Sequence, residues 1–162
     1  MKLDAQSGPI VAILTGSPND LAVVNQARDT LASLGVPCEV KVLSAHRTPD
    51  RVQRYVQAAP ARGIDVFIAC AGMAAHLAGV VAALTTVPVI GVPLASGSLS
   101  GLDALLSTVQ MPPGIPVATV GVDGAKNAAY LAVRILSLKY PELAARLEAD
   151  LATQRERYDQ VD

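Results

Sequence analysis

The chain has 162 residues, 14 acidic and 13 basic side chains and a formal charge of −1. That near-neutral balance offers no electrostatic footprint for DNA, RNA or an anionic membrane, and one Phe, four Tyr and no Trp supply too few rings for a base-stacking platform. An apolar share of 51 % excludes disorder, and the length suits one domain with a sizeable core.

Two cysteines, Cys38 and Cys70, are too few for a disulfide framework and lack C-x-x-C spacing, which points to a reducing, cytoplasmic location. Residues 1–9 are short and polar and carry no signal-peptide pattern. Residues 66–95 are apolar almost throughout. Gly72, His76, Pro88 and Pro93 interrupt that run, and no Lys or Arg flanks it, so it reads as a buried strand, a buried helix and a second buried strand.

In chain order, a compact apolar strand over residues 10–14 stops at Gly16. From Asp20, Val23, Val24, Ala27, Leu31 and Leu34 recur at helical spacing until Gly35 and Pro37 end the helix. Residues 40–43 read as a strand, and Thr48-Pro49 as an N-cap with Pro at the first helical position. A strand over 66–69 precedes a small-residue helix over 74–84. Then come a strand over 89–92, a short helix over 101–108, a strand over 116–120, a helix over 125–138 and a further helix after Pro141. No repeat or linker interrupts the series, so residues 1–162 read as one domain, with a core over 9–138 and a C-terminal helical extension over 141–160.

Strands apolar on both faces, alternating with helices, predict a parallel sheet covered on each side. About five strands with right-handed crossovers give an α/β fold, a flavodoxin-like three-layer α/β/α sandwich, with an extended C-terminal helix. Leu143, Leu147 and Leu151 recur every four residues on that last helix. A monomer must expose this stripe or fold it back, whereas a neighbouring subunit would cover it.

Ligands of open parallel sheets bind outside the carboxyl ends of the strands, and each strand here is followed by a polar segment. These are Gly16-Ser17-Pro18-Asn19-Asp20, Ser44-Ala45-His46-Arg47-Thr48-Pro49, Ala71-Gly72-Met73-Ala74-Ala75-His76, Ala95-Ser96-Gly97-Ser98 and Asp123-Gly124-Ala125-Lys126-Asn127. Both histidines of the chain fall in them. Gly16-Ser17 at a strand-to-helix junction suits a phosphate, and Asp20 suits a sugar diol; either Ser17 or Asp20 also fits a plain N-cap. Arg47 can grip a phosphate bidentately with Ser44 as an added donor, beside His46, whose imidazole can move a proton. His76, inside an apolar stretch, reads as a satisfied core histidine, and Cys70 as an inert core thiol. No Cys, His and Asp cluster has metal-ligand spacing.

Gly16-Ser17 with Asp20, Ser44-Ala45-His46-Arg47-Thr48-Pro49 and Ala71-Gly72-Met73-Ala74-Ala75-His76-Leu77 resemble three motifs of the bacterial N5-carboxyaminoimidazole ribonucleotide mutases, class I of the PurE family of purine synthesis. Pro88-Val89-Ile90-Gly91-Val92-Pro93 and Ser107-Thr108-Val109-Gln110-Met111-Pro112 continue the match in order, over residues 11–138. The resemblance implies an isomerase that moves a carboxylate from the exocyclic nitrogen to carbon 4 of an aminoimidazole ribonucleotide, with His46 as general acid and base. Ser17, Ser44 and Arg47 would hold the ribose phosphate with Asn19 as a further donor, Asp20 would hold the ribose hydroxyls, and Ala45 would also contact the substrate. Ala71, Gly72, Ala74 and Leu77 would line the carboxylate and CO2 pocket. No cofactor and no metal are implied; the expected partners are the ribonucleotide and other copies of the chain in a homo-octamer, with no nucleic acid and no membrane.

The chain departs from the family pattern at Asn19, Leu21, Cys70, Met73 and Ala78, where Ser, an aromatic, Gly or Ala, Gly and Pro are the usual residues. The segment 121–127 is about two residues short of the usual loop, judged against a typical connection of ~4–6 residues. The alternatives are a related carboxylase that uses free CO2, and a nucleotide-binding paralogue without turnover. A flavin carrier of the same fold would need more aromatic residues. A phospho-acceptor domain would need paired acids after the first strand and an Asp where Cys70-Ala71-Gly72 stands.

Overall fold

The computed structural model describes residues 10–159. The absence of a targeting pattern in residues 1–9 and the outer ends of the expected domain, core and extension lie outside the described residues.

Five strands form one wholly parallel sheet: β1 (Val11–Thr15), β2 (Cys38–Val42), β3 (Val66–Gly72), β4 (Val89–Leu94) and β5 (Ala118–Thr119), in the order β2-β1-β3-β4-β5. Six α-helices connect and follow them: α1 (Leu21–Ser33), α2 (Pro49–Ala58), α3 (Leu77–Leu84), α4 (Leu102–Val109), α5 (Ala125–Ser137) and α6 (Glu142–Asp159). This is the flavodoxin-like order, and the switch of winding direction falls between β1 and β3.

The period-2 geometry of a strand sends alternate side chains to opposite faces. Val11, Ile13, Val66, Ile68, Ile90 and Val92 pack with Val24, Leu31, Ala128, Val133 and Leu136 under α1 and α5. Ala12, Leu14, Phe67, Ala69 and Val89 face the other way, onto Val52, Val56, Leu77 and Val81 of α2 and α3. Two cores are therefore built from one set of apolar runs. The apolar stretch 66–95 resolves into β3, α3 and β4, and no described helix is long and apolar enough to cross a membrane.

Several boundaries differ from those read in the sequence. β5 spans two residues rather than five, and pairs with β4 only at Ile90–Ala118 and Gly91–Thr119. β3 runs on to Gly72, where it pairs with Leu94. The helix expected from Ala74 starts at Leu77 instead: Met73 adopts φ 55°, and the N–H groups of Ala75 and His76 close tight turns on the carbonyls of Met73 and Ala74, both at 2.9 Å. Thr48 holds the N-cap position with Pro49 next, but its hydroxyl closes a turn on Ser44 rather than capping α2.

The leucine stripe of α6 folds back. Leu143 and Leu147 are buried in the same core as Leu136 and Tyr140, and Leu151 is half-buried, so the stripe does not need a neighbouring subunit. Leu99, Leu102, Leu106 and Val109 leave apolar surface open on α4 and just before it, and Leu138 and Met73 are exposed elsewhere.

Candidate functional site

At the carboxyl end of the sheet, β1 ends in Thr15, whose side chain is fully buried. Its hydroxyl donates to Asp20 Oδ2 at 3.0 Å, which turns that carboxylate back over the end of the strand. Ser17 caps the single 3-10 turn Pro18–Asp20 by accepting from the Asn19 N–H at 3.2 Å. The N-cap reading of Ser17 is therefore realised in this structure, while Asp20 makes no side-chain cap bond to α1.

The second loop is a compact turn. The Thr48 N–H donates to the Ser44 carbonyl at 2.9 Å and Thr48 Oγ1 bonds both backbone groups of Ser44, which projects His46 and Arg47 outward. Ser44 Oγ accepts from the Arg47 N–H at 3.2 Å and from Arg47 Nε at 3.4 Å. Arg47 Nη2 crosses to the first loop and donates to the Gly16 carbonyl at 2.8 Å. The guanidinium is thus pre-positioned between two loops. Among the described residues no carboxylate pairs with it, so its charge is open to an anionic ligand.

His46 Nε2 lies 2.8 Å from Nδ1 of His76, with the rings perpendicular and their centroids 4.9 Å apart. Such a bond needs one nitrogen to donate and the other to accept, so the pair fixes one tautomer through the other. His76 is not a core residue. It is exposed at the N-cap position of α3, because the turn at Met73 delays the helix and leaves this side chain outside the apolar layer. The sequence signal that finds it is its place in the third loop, six residues after Cys70.

A cleft of about 340 Å³ gathers these groups. All eleven residues expected at the site line it: Ser17, Asn19, Asp20, Ser44, Ala45, His46, Arg47, Ala71, Gly72, Ala74 and Leu77. Gly16, Met73 and Ser96 complete the wall. Four loops contribute; the fifth does not. β5 lies two strands beyond β3, about 10 Å across the sheet. Lys126 and Asn127 face α6 instead, and Asp123 braces the fourth loop by accepting from the Ala95 N–H at 2.9 Å. A larger hollow of about 910 Å³ at the opposite end of β4 is lined by residues 82–89 and by Gly114, Ile115, Pro116 and Ala118. It has no titratable side chain and cannot do acid-base chemistry.

Cys70 sits beneath the cleft, fully buried, and burial aided by the Asp20 charge pushes its thiol up to about 12. It is no nucleophile near neutral pH. No three His, Cys, Asp or Glu side chains cluster as a metal site among the described residues.

The arrangement holds an uncompensated arginine, two serine hydroxyls, a carboxylate and an imidazole pair against a small apolar pocket. The AIR carboxylase family model matches residues 10–157. This chain belongs to that family. It is 61 % identical over 140 residues to the N5-carboxyaminoimidazole ribonucleotide mutase of Pyrococcus abyssi, covering 86 % of this chain and 80 % of that one. It is 48 % identical to the mutase of the same name from Thermotoga maritima, covering 94 % of each. The crystal structure of Treponema denticola PurE superposes with a TM-score of 0.85 at 30 % identity, over 94 % of this chain and 95 % of that one. Met73, one of the departures from the expected pattern, has a φ of 55°, and such a left-handed backbone favours a residue without Cβ.

Proposed function

We propose that the cleft interconverts N5-carboxyaminoimidazole ribonucleotide and 4-carboxy-5-aminoimidazole ribonucleotide, an isomerase reaction of purine biosynthesis. The observation that carries this reading is the unpaired Arg47 guanidinium one residue from an imidazole held by a second imidazole at 2.8 Å. Family membership and mutase relatives at 48–61 % identity support it.

The 5′-phosphate binds Arg47, with the Ser17 and Ser44 hydroxyls as further donors and Asn19 beside them; Asp20 accepts from the ribose hydroxyls. The C–N bond of the carbamate breaks, CO2 departs, and the electron pair left on the exocyclic nitrogen takes a proton from His46. Carbon 4 then attacks the retained CO2 through the electron-rich ring, and the proton it carries passes to the now neutral imidazole. One proton is delivered and one recovered, so the reaction needs no cofactor. His76 holds His46 in the tautomer and orientation that serve both transfers. Ala45, Ala71, Gly72, Ala74 and Leu77 form the small pocket that keeps CO2 close, so that recombination stays effectively unimolecular.

The whole chain acts as one catalytic unit in this reading, with α6 packed on α5 as an extension. The assembly is a homo-octamer of a cytoplasmic enzyme. Support for assembly comes from α4, where Leu102, Leu106 and Val109 are 55, 47 and 48 % exposed on one face. Two free thiols support a reducing compartment. Light scattering that finds a stable monomer at micromolar concentration overturns the octamer.

The deciding experiment follows a labelled carboxylate. Label placed on the exocyclic nitrogen of the substrate appears on carbon 4 with little dilution by unlabelled bicarbonate. Efficient carboxylation of the uncarboxylated ribonucleotide by dissolved CO2, without activity on the N-carboxylated substrate, overturns the mutase reading in favour of a direct carboxylase. Ribonucleotide binding with no turnover in either assay identifies a non-catalytic paralogue.

A further inference from the structure

Ser96 lies in the fourth loop, which no motif assigns to the site, yet it lines the cleft. Its Oγ is shut off from solvent and has no hydrogen-bond partner; among the described residues no other buried side-chain polar atom is left in that state. The oxygen rests against Gly72, in the space that a Cβ there would occupy, so the hydroxyl and the Gly72 backbone share one small volume. Native proteins pair nearly all such groups, and an orphan is destabilising unless a partner arrives.

The loop that carries Ser96 is held firmly. The Ala95 N–H donates to Asp123 Oδ1 at 2.9 Å, and the Asp123 N–H donates to the Pro93 carbonyl at 2.9 Å. Gly101, at φ 90°, packs so close to Ala95 that a Cβ would stand 3.1 Å from its Cα. A second observation points to the ligand. In the turn beside Gly72, the N–H groups of Met73 and Ala74 donate to no backbone carbonyl among the described residues. Successive free N–H groups at a residue of positive φ form a concave anion cradle.

We propose that Ser96 is a substrate-contacting residue whose hydroxyl donates to the migrating carboxylate, together with the Met73 and Ala74 N–H groups. In the free protein the hydroxyl turns against Gly72, and one χ1 rotation brings it to the ligand. The three donors then recognise the carboxylate whether it is attached to nitrogen or to carbon, and they do not touch the ribose phosphate. This rests on the mutase reading of the cleft.

The test is Ser96→Ala, with calorimetric affinities for 4-carboxy-5-aminoimidazole ribonucleotide and for 5-aminoimidazole ribonucleotide, which lacks the carboxylate. Affinity for the carboxylated ligand falls about tenfold or more, the scale of a hydrogen bond to a charged group. Affinity for the uncarboxylated ligand is unchanged. The melting temperature is not lowered, because a methyl group replaces an orphaned hydroxyl. Unchanged affinity for both ligands overturns the proposal, and so does an equal loss for both, with or without a lowered melting temperature. Wild-type protein that binds neither ribonucleotide overturns the mutase reading itself, and this proposal with it.

Discussion

Replacing His46 by Asn separates proton transfer from every other role of the site. The imidazole is exposed and its side chain makes one hydrogen bond, to a second exposed ring 2.8 Å away. Losing it therefore costs no more than about 0.5 kcal/mol of stability, the usual limit for a surface substitution. In a domain of this size that lowers the melting temperature by ~1–2 °C. The Arg47 contacts to Gly16 and Ser44 do not pass through the imidazole, so ribonucleotide affinity stays near wild type. The chemical step behaves differently: a general acid-base group contributes about 10²–10⁴-fold, or roughly 3–5 kcal/mol of barrier. The effect on rate thus exceeds the effect on folding several-fold in free energy. Steady-state kinetics, calorimetry and a thermal melt on the same preparation measure all three quantities. His76→Asn is the companion variant. It keeps the His46 imidazole and removes its orienting partner, and it loses about 10- to 100-fold, the scale seen where outer partners orient metal-bound imidazoles. A His46→Asn enzyme that keeps more than about a tenth of the wild-type rate lies below the acid-base range and refutes the assignment.

Arg47→Ala removes the one unpaired cation between the first two loops. Binding of the 5′-phosphorylated ligand weakens by about 10²-fold or more, through loss of charge-assisted contacts, while binding of the corresponding nucleoside changes little; equal losses in calorimetry count against a phosphate role. Met73→Gly relieves the left-handed backbone at φ 55°. The gain of about 1 kcal/mol is partly offset by the greater chain entropy of glycine, leaving a rise in melting temperature of ~1–3 °C. Met73→Ala keeps the strained φ and shows no such rise, so equal melting temperatures for the two variants rule out backbone strain as the cause.

Local chemistry wrote much of this protein into its sequence. The apolar runs that become β1, β3 and β4 carry no polar face, and only a sheet covered on both sides hides them, which dictates parallel strands with helical crossovers. The loops after β1 and β2 hold Ser17, Asp20, Ser44, His46 and Arg47, and parallel strands must bring such loops to one edge. Those inferences need only nearest neighbours along the chain.

What depended on strand order and packing was not legible in the same way. The fifth loop shares the edge but stands apart from the cleft, because β3 and β4 lie between β1 and β5 in the sheet. β5 pairs with β4 at two residues only, an extent set by where the two segments meet across the sheet and not by the apolar run itself. His76 reads as a core residue when the helix starts at Ala74; one positive φ at Met73 moves that start to Leu77 and delivers the ring to His46. The leucines of α6 were covered by the core beneath α5, a contact made by a return of the chain and not by any local pattern. Ser96 reaches the site only because Gly72 leaves room for its oxygen and Asp123 holds its loop from 27 residues further along. Spacing along a chain specifies which face a side chain takes, whereas distance between remote segments is settled by the packing that closes the fold.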